Sequence, residues 1–178
     1  STTRYTYTDY LSTPEDTSRR HEIVEGELFV TAAPRFRHQE VVVNLTRILS
    51  TLAVDHELGK VVVGPVTVHL HDEGVVEPDL AFVGVDRLDI VDAEGGIEGP
   101  PDLVVEVLSP SNREYDRGLK RKQYMDYGVP ELWLVDADAG AVEVWRPDLT
   151  EAEVVRDALT WRVEGRDLSV PLAEVFRG

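Results

Sequence analysis

Glu106 stands inside Leu103-Val104-Val105-Glu106-Val107-Leu108, a run that is otherwise wholly apolar and is bounded by prolines. An ionised carboxylate in such a strand is costly to bury unless a cation pairs with it or binds it. A second acid lies upstream in Glu77-Pro78-Asp79, where proline directs the chain and Asp79 opens the apolar run Leu80-Ala81-Phe82-Val83. If the two strands are neighbours, their carboxylates converge on one point. Two converging oxygen-donor acids suit a hard divalent cation, Mg²⁺ or Mn²⁺, which keeps several waters and bridges to a phosphate.

A basic group completes this chemistry. Five basic residues crowd into one stretch: Arg113, Arg117, Lys120, Arg121 and Lys122. At about 100° per residue, Lys120 falls with Tyr115, Asp116, Leu119, Tyr124 and Tyr127 on one broad, mostly apolar flank. Arg117, Arg121 and Lys122 fall on or beside the opposite face. Lys120 is therefore expected to point inward, where an ammonium orients water and offsets charge on a phosphate oxygen. Plainer readings stand beside these. Glu106 and Lys120 could form a buried ion pair, Asp79 could be a turn residue, and Lys120 could bridge to Asp116 on a solvated face. The cluster Arg117, Arg121 and Lys122 either tracks a phosphate backbone or is simply solvated. His69 and His71, two apart on a strand, share a face that either binds a transition metal or meets solvent.

Composition limits the rest. The 178 residues hold 34 Asp and Glu against 18 Lys and Arg, a formal charge of −16, which should repel nucleic acid and anionic membrane in bulk. A local site can oppose that average. No cysteine is present, so disulfides, thiolate-bound metals and cysteine nucleophiles are excluded. No phosphate-binding glycine loop occurs, and Ser109 lacks a hydrolase-elbow context. The N-terminal residues lack a signal-peptide pattern, and no apolar run approaches the roughly 20 residues of a membrane span. A soluble, cytoplasmic protein is expected, with no membrane partner.

The elements that must position these groups read as a mixed α/β order. Residues 5–13 suggest a short leading helix and 14–20 a loop. His21 to Pro34 reads as two short strands about Glu25-Gly26. Apolar residues from Val41 to Ala53 recur at helical spacing, predicting an amphipathic helix over 38–58. Two β-branched runs about His71-Asp72-Glu73-Gly74 predict a hairpin. Residues 86–101 read as a loop with one helical turn, and 103–108 as a buried central strand. A helix to about Tyr127 follows, then strands from Glu131 and Ala141, strand-like pieces at 152–156 and 161–170, and a helical turn at 171–176.

Three blocks carry a resemblance: PDLAFV, PDLVVEVLSPS and YDRGLKRKQYMDYGVPELWLVD. Together with HEIVEGEL and AAPRFRHQ they resemble the Uma-two family of restriction-endonuclease-like proteins, a branch of the PD-(D/E)xK nuclease superfamily, over roughly residues 5–147. The resemblance implies an α/β fold with a restriction-endonuclease-like mixed β-sheet core flanked by helices, here with extra antiparallel strands. The core sheet it implies has four strands, with the active site at its split end. One domain over 1–178 is expected: a leading extension to about 20, a nuclease-like core to about 147 and C-terminal strands beyond. The resemblance makes Asp79 and Glu106 the catalytic acids. The superfamily's lysine position, two after the second acid, is Leu108, and in this family's pattern Lys120 on the following helix takes the role. The implied activity is metal-dependent hydrolysis of DNA, with Mg²⁺ or Mn²⁺ held by Asp79, Glu106 and the Val107 carbonyl, and Glu22 as a further ligand. His38 and Asp116 are supporting candidates, and a homodimer is expected. The competing expectation is a weak or inactive nuclease-fold module that binds, or serves as a dimer subunit.

Overall fold

The computed structural model describes residues 3–14 and 19–178. In chain order the elements are α1 (Tyr7–Leu11), β1 (Arg20–Val24), β2 (Glu27–Thr31), α2 (Phe36–Asp55), β3 (Gly59–Val63), β4 (Val68–His71), β5 (Gly74–Val76) and β6 (Leu80–Gly84). After a 3₁₀ turn at Val85–Ile90 come β7 (Val91–Asp92), β8 (Gly96–Glu98) and β9 (Leu103–Val107). A helical segment follows, built from α3 (Arg113–Tyr115), a π-helical turn (Asp116–Lys120) and α4 (Arg121–Asp126). The chain ends with β10 (Leu132–Asp136), β11 (Ala141–Trp145), β12 (Glu153–Val155), β13 (Ala158–Val163), β14 (Arg166–Pro171) and α5 (Leu172–Val175). Most of the expected loop at 14–20 lies outside the described residues, and Arg20 already belongs to β1.

The strands form two six-stranded sheets, ordered β12-β11-β10-β9-β6-β3 and β2-β1-β5-β4-β8-β7, plus the hairpin β13-β14. The first sheet is mixed: β9 runs parallel to β10, while its other pairs are antiparallel. Its central strands carry the expected nuclease-like core, and β3 and β12 widen it beyond four strands. Side chains alternate across this sheet. Leu80, Phe82, Leu103, Val105, Trp133 and Val135 pack against Val41, Leu45 and Leu49 of α2 and against Trp161 of β13. Ala81, Val83, Val104, Leu132 and Leu134 face the other way, toward Tyr124 of α4 and Val24, Val68 and Val76 of the second sheet. Helix α2 follows the expected periodicity but stops at Asp55, because Glu57 takes a left-handed φ of 54°.

The predicted hairpin is real but divided between sheets. Its tip, β4 with β5, belongs to the second sheet, and its base, β3 with β6, belongs to the first. The division falls at Gly64-Pro65 on one arm and Glu77-Pro78-Asp79 on the other, linked by the Gly64 N–H donating to the Asp79 carbonyl at 2.8 Å. Residues 86–101 are more ordered than a loop: β8 pairs with β4 and β7, in strands too short to leave a periodic signal.

Gly64 decides how closely the two arms approach at the Asp79 corner. A Cβ there would lie 2.1 Å from the Pro78 carbonyl oxygen, so backbone would have to move. At Gly118, in the π turn, an added Cβ meets nothing within 4 Å. Gly64→Ala is expected to destabilise the fold by about 1–3 kcal/mol. Gly118→Ala should be neutral or stabilise by up to about 1 kcal/mol. Urea unfolding of the two variants checks both, and equal stabilities would refute the close-approach argument.

Candidate functional site

Strand pairing brings the two acids together. β6 and β9 are antiparallel with Leu80 opposite Val105 and Ala81 opposite Val104. One further step along that register sets Asp79 opposite Glu106, on the face shared by Ala81 and Val104. The expected convergence is present, and both side chains are buried. The Val107 N–H, next to Glu106, donates to Asp79 Oδ2 at 2.8 Å.

Lys120 reaches the same point from the helical segment and is only 3 % exposed. Its Nζ is 2.7 Å from Glu106 Oε1 and 2.7 Å from Glu22 Oε1, the latter carried by β1 of the second sheet. The inward orientation holds, and so does the ion pair with Glu106. Among the described residues, Lys120 pairs with these two acids and not with Asp116. The helical projection fails at Leu119, which is 46 % exposed. In a π turn the repeat is i to i+5, so Lys120 rather than Leu119 aligns with Tyr115. The Tyr115 ring accordingly lies 5.9 Å from Lys120 Nζ.

Further groups lock these acids in place. The Tyr124 hydroxyl donates to Glu106 Oε1 at 2.7 Å, so both described donors meet on Oε1 and Oε2 is left for a proton or a cation. Glu22 accepts the Glu77 N–H at 2.7 Å and the Tyr115 hydroxyl at 3.3 Å. Asp79 Oδ1 accepts from Arg20 NH1 at 2.6 Å, and Oδ2 lies 3.1 Å from His38 Nε2. His38 is thus placed where a supporting residue was expected. Arg20, Tyr115 and Tyr124 were not singled out from the sequence. Arg20 carried a usable signal, because it sits two residues before Glu22 on one strand and so shares its face.

The crowding of acids sets the electrostatics. Burial pushes Glu106 up to about 8 against the pull of Lys120, with Asp79, Asp116 and Glu22 adding to the rise. Burial likewise pushes Asp116 up to about 7, again opposed by Lys120. Asp79 goes the other way: burial would raise it, but the His38 hydrogen bond, Arg20 and the Val107 N–H hold it at about 2. Burial disfavours the His38 cation, yet its contact with Asp79 raises its pKa. Burial also opposes the Lys120 charge, and Glu106 and Glu22 outweigh it, holding the ammonium well above its ordinary value.

Glu22, Asp79, Glu106, Val107, Asp116 and Lys120 all line one cleft of about 230 Å³, together with Thr31 to Arg35 and His38. Among the described residues, no three His, Asp or Glu side chains are clustered as a ready metal centre. Lys120 instead holds Glu22 and Glu106, and Arg20 holds Asp79. The donor chemistry fits a hard divalent cation, because four buried carboxylates face the same space and the imidazole there, His38, is engaged with Asp79.

The other basic residues are engaged elsewhere. Arg113 pairs with Asp136 and Asp138, Arg117 with Asp136 and Glu143, and Lys122 with Asp126. Arg121 stacks on the Trp145 ring at 4.2 Å. Arg117 and Arg121 are thus engaged with the mixed sheet, while Lys122 lies on the solvated face. His69 stacks on Tyr7 and bonds Glu98, and His71 stacks on Tyr127 and bonds Gln123. A register shift in the β4-β5 pairing separates the two histidines. Among the described residues, no helix is long and apolar enough to cross a membrane.

Residues 7–172 match the family model described as "Uma2: Putative restriction endonuclease". The chain belongs to the Uma2 family. Its fold is similar to a crystal structure described as a "putative nuclease belonging to DUF820" from Anabaena variabilis, with a TM-score of 0.79 and 20 % sequence identity. That likeness covers 96 % of this chain and 97 % of the other, and at this identity it speaks to the fold. No curated protein matches the chain. In this Uma2 chain Leu108, the position two after Glu106, is buried in the apolar cluster around Tyr124. The ammonium beside Glu106 comes instead from the π turn.

Opposite pH dependences follow from the two acids. Glu106 keeps its proton in the folded chain where the unfolded chain has lost it. The stability it contributes is present below about 4.5 and is lost as pH rises through about 8. Asp79 contributes stability above 3.8 that is lost as pH falls through about 2, on the order of 2 kcal/mol. In metal-free thermal melts from about pH 5 to 8, wild-type stability should decline with pH. Glu106→Gln should flatten that decline, and identical slopes would contradict the assignment.

Proposed function

We propose that the chain is a divalent-metal-dependent endonuclease that hydrolyses DNA phosphodiester bonds. The observation that carries this reading is Lys120, whose buried ammonium meets Glu106 at 2.7 Å where Glu106 and Asp79 share one strand register. Buried structural ion pairs seldom improve stability over apolar packing, so an acid-rich constellation lining a cleft favours a chemical role. Membership of the family described as "Putative restriction endonuclease" supports the same reading.

Asp79 and Glu106, with the Val107 carbonyl, are the residues that would hold Mg²⁺ or Mn²⁺, and Glu22 supplies a further carboxylate. A bound cation would stabilise charge on the scissile phosphate and make water more acidic. Lys120 positions the attacking water and donates to a phosphate oxygen. Tyr124 fixes the Glu106 carboxylate, while Tyr115 and the Glu77 N–H fix Glu22. His38 orients Asp79, and Asp116 sets the local charge around Lys120. The reading extends to one nuclease domain, a homodimer as the working unit and a cytoplasmic location.

A second reading is a nuclease fold kept for binding, or as a dimer subunit, with weak or no catalysis. It is favoured by the internal pairing of Arg113, Arg117 and Lys122, which leaves a surface dominated by the −16 charge. Cleavage of supercoiled plasmid and single-stranded DNA separates the two. Wild type should cut only with Mg²⁺ or Mn²⁺, and Glu106→Gln and Lys120→Ala, verified as folded by circular dichroism, should lose about 100-fold or more. No metal-dependent cutting by wild type, or equal cutting by the variants, would leave the binding module as the surviving reading.

A further inference from the structure

Asp79 is held by Arg20, His38 and the Val107 N–H, whereas Lys120 contacts Glu22 and Glu106. Arg20 NH1 lies 2.6 Å from Oδ1 and 3.3 Å from the Glu77 carbonyl, so the guanidinium bridges the turn that delivers Asp79 and the carboxylate itself. Asp79 is buried, whereas the Arg20 side chain is 21 % exposed and lines the cleft. The buried partners of Asp79, the Val107 N–H and His38, sit on Oδ2. Arg20 is therefore the more accessible partner and occupies the other oxygen.

We propose that Arg20 is a built-in competitor for the divalent cation at Asp79, released when a substrate phosphate draws the guanidinium away. The inference rests on the metal-dependent nuclease reading and adds a coupling to it. A carboxylate bonded to a guanidinium binds a second cation against direct charge repulsion. An entering phosphodiester offers the guanidinium an equivalent oxygen acceptor, because planar guanidinium groups pair with phosphate as readily as with carboxylate. Once Arg20 moves to phosphate, Oδ1 of Asp79 becomes available to metal. Metal and nucleic acid then favour each other's binding, and the coupling must be reciprocal. The β1 strand that carries Arg20 also carries Glu22, so the exchange takes place on a framed element.

Mn²⁺ affinity, read by electron paramagnetic resonance from the loss of free-ion signal, tests the proposal without any turnover. In wild type, a phosphorothioate-linked thymidine oligonucleotide should tighten Mn²⁺ binding about 10-fold, the scale of one charge-assisted hydrogen bond. Arg20→Gln, checked as folded by circular dichroism, should bind Mn²⁺ about 10-fold more tightly without oligonucleotide and show little further gain with it. Asp79→Asn should abolish the tight site in either background. Wild-type affinity that ignores the oligonucleotide, or that equals that of Arg20→Gln, would overturn the competition while leaving the nuclease reading intact. Absence of Mn²⁺ binding by both proteins, together with absence of metal-dependent cleavage, would overturn the nuclease reading and this coupling with it.

Discussion

The structure turns on one buried ammonium. Lys120 bridges Glu22 and Glu106, two acids that come from different sheets. Removing a charge from water costs several kcal/mol, and the cost is offset only by close partners and hydrogen bonds to the remaining atoms. Tyr115, Tyr124 and the Glu77 N–H supply those bonds. Lys120 is therefore an electrostatic junction between the mixed sheet, the second sheet and the helical segment. It also leaves Glu106 Oε2 open to the cleft.

The π turn is what makes this junction possible. A regular helix through Tyr115 would have turned Leu119 inward and left the aromatic ring off the Lys120 axis. The extra residue in the turn moves Leu119 to solvent and stacks Tyr115, Asp116 and Lys120 toward the acids. π turns inside helices occur often at functional sites, which agrees with the chemistry assigned here. On the opposite arm, the split hairpin has a comparable effect. Its change of sheet at Gly64 and Pro78 brings Asp79 into register with Glu106 instead of leaving it in an exposed turn.

The acidity of the chain takes on a more specific meaning. Arg113 and Arg117 are matched by Asp136 and Glu143 of β10 and β11, so these two basic residues tie the helical segment to the mixed sheet, while Lys122 pairs with Asp126 within α4. Among the described residues, the basic side chains that line the cleft are Arg20, Arg35, His38 and Lys120. Nucleic-acid affinity on this surface would depend on those residues and on bound metal, with a strong sensitivity to salt.

Local physics made much of this legible in the sequence. An acid inside an apolar strand, an acid after proline and a lysine on an apolar flank each conflict with their surroundings, and such conflicts mark Glu106, Asp79 and Lys120 in one dimension. Periodicity likewise determined α2, and apolar runs marked β9 and β10, whereas the strand-like piece read at 161–170 is divided by a turn at Glu164-Gly165 between β13 and β14. Tertiary structure alone decided which charges pair. Arg20 meets Asp79 across 59 positions of chain and Tyr115 meets Glu22 across 93, and no local pattern encodes such partners. The π turn, the sheet change of the hairpin and the short strands β7 and β8 depend on packing between sheets, since their local hydrogen bonding is too brief or irregular to stand alone. The sequence by itself determined the acids, the lysine and the alternation that buries them. The fold decided that Lys120 would join two acids from separate sheets, because the cost of burying those charges is met only when all three elements are in place.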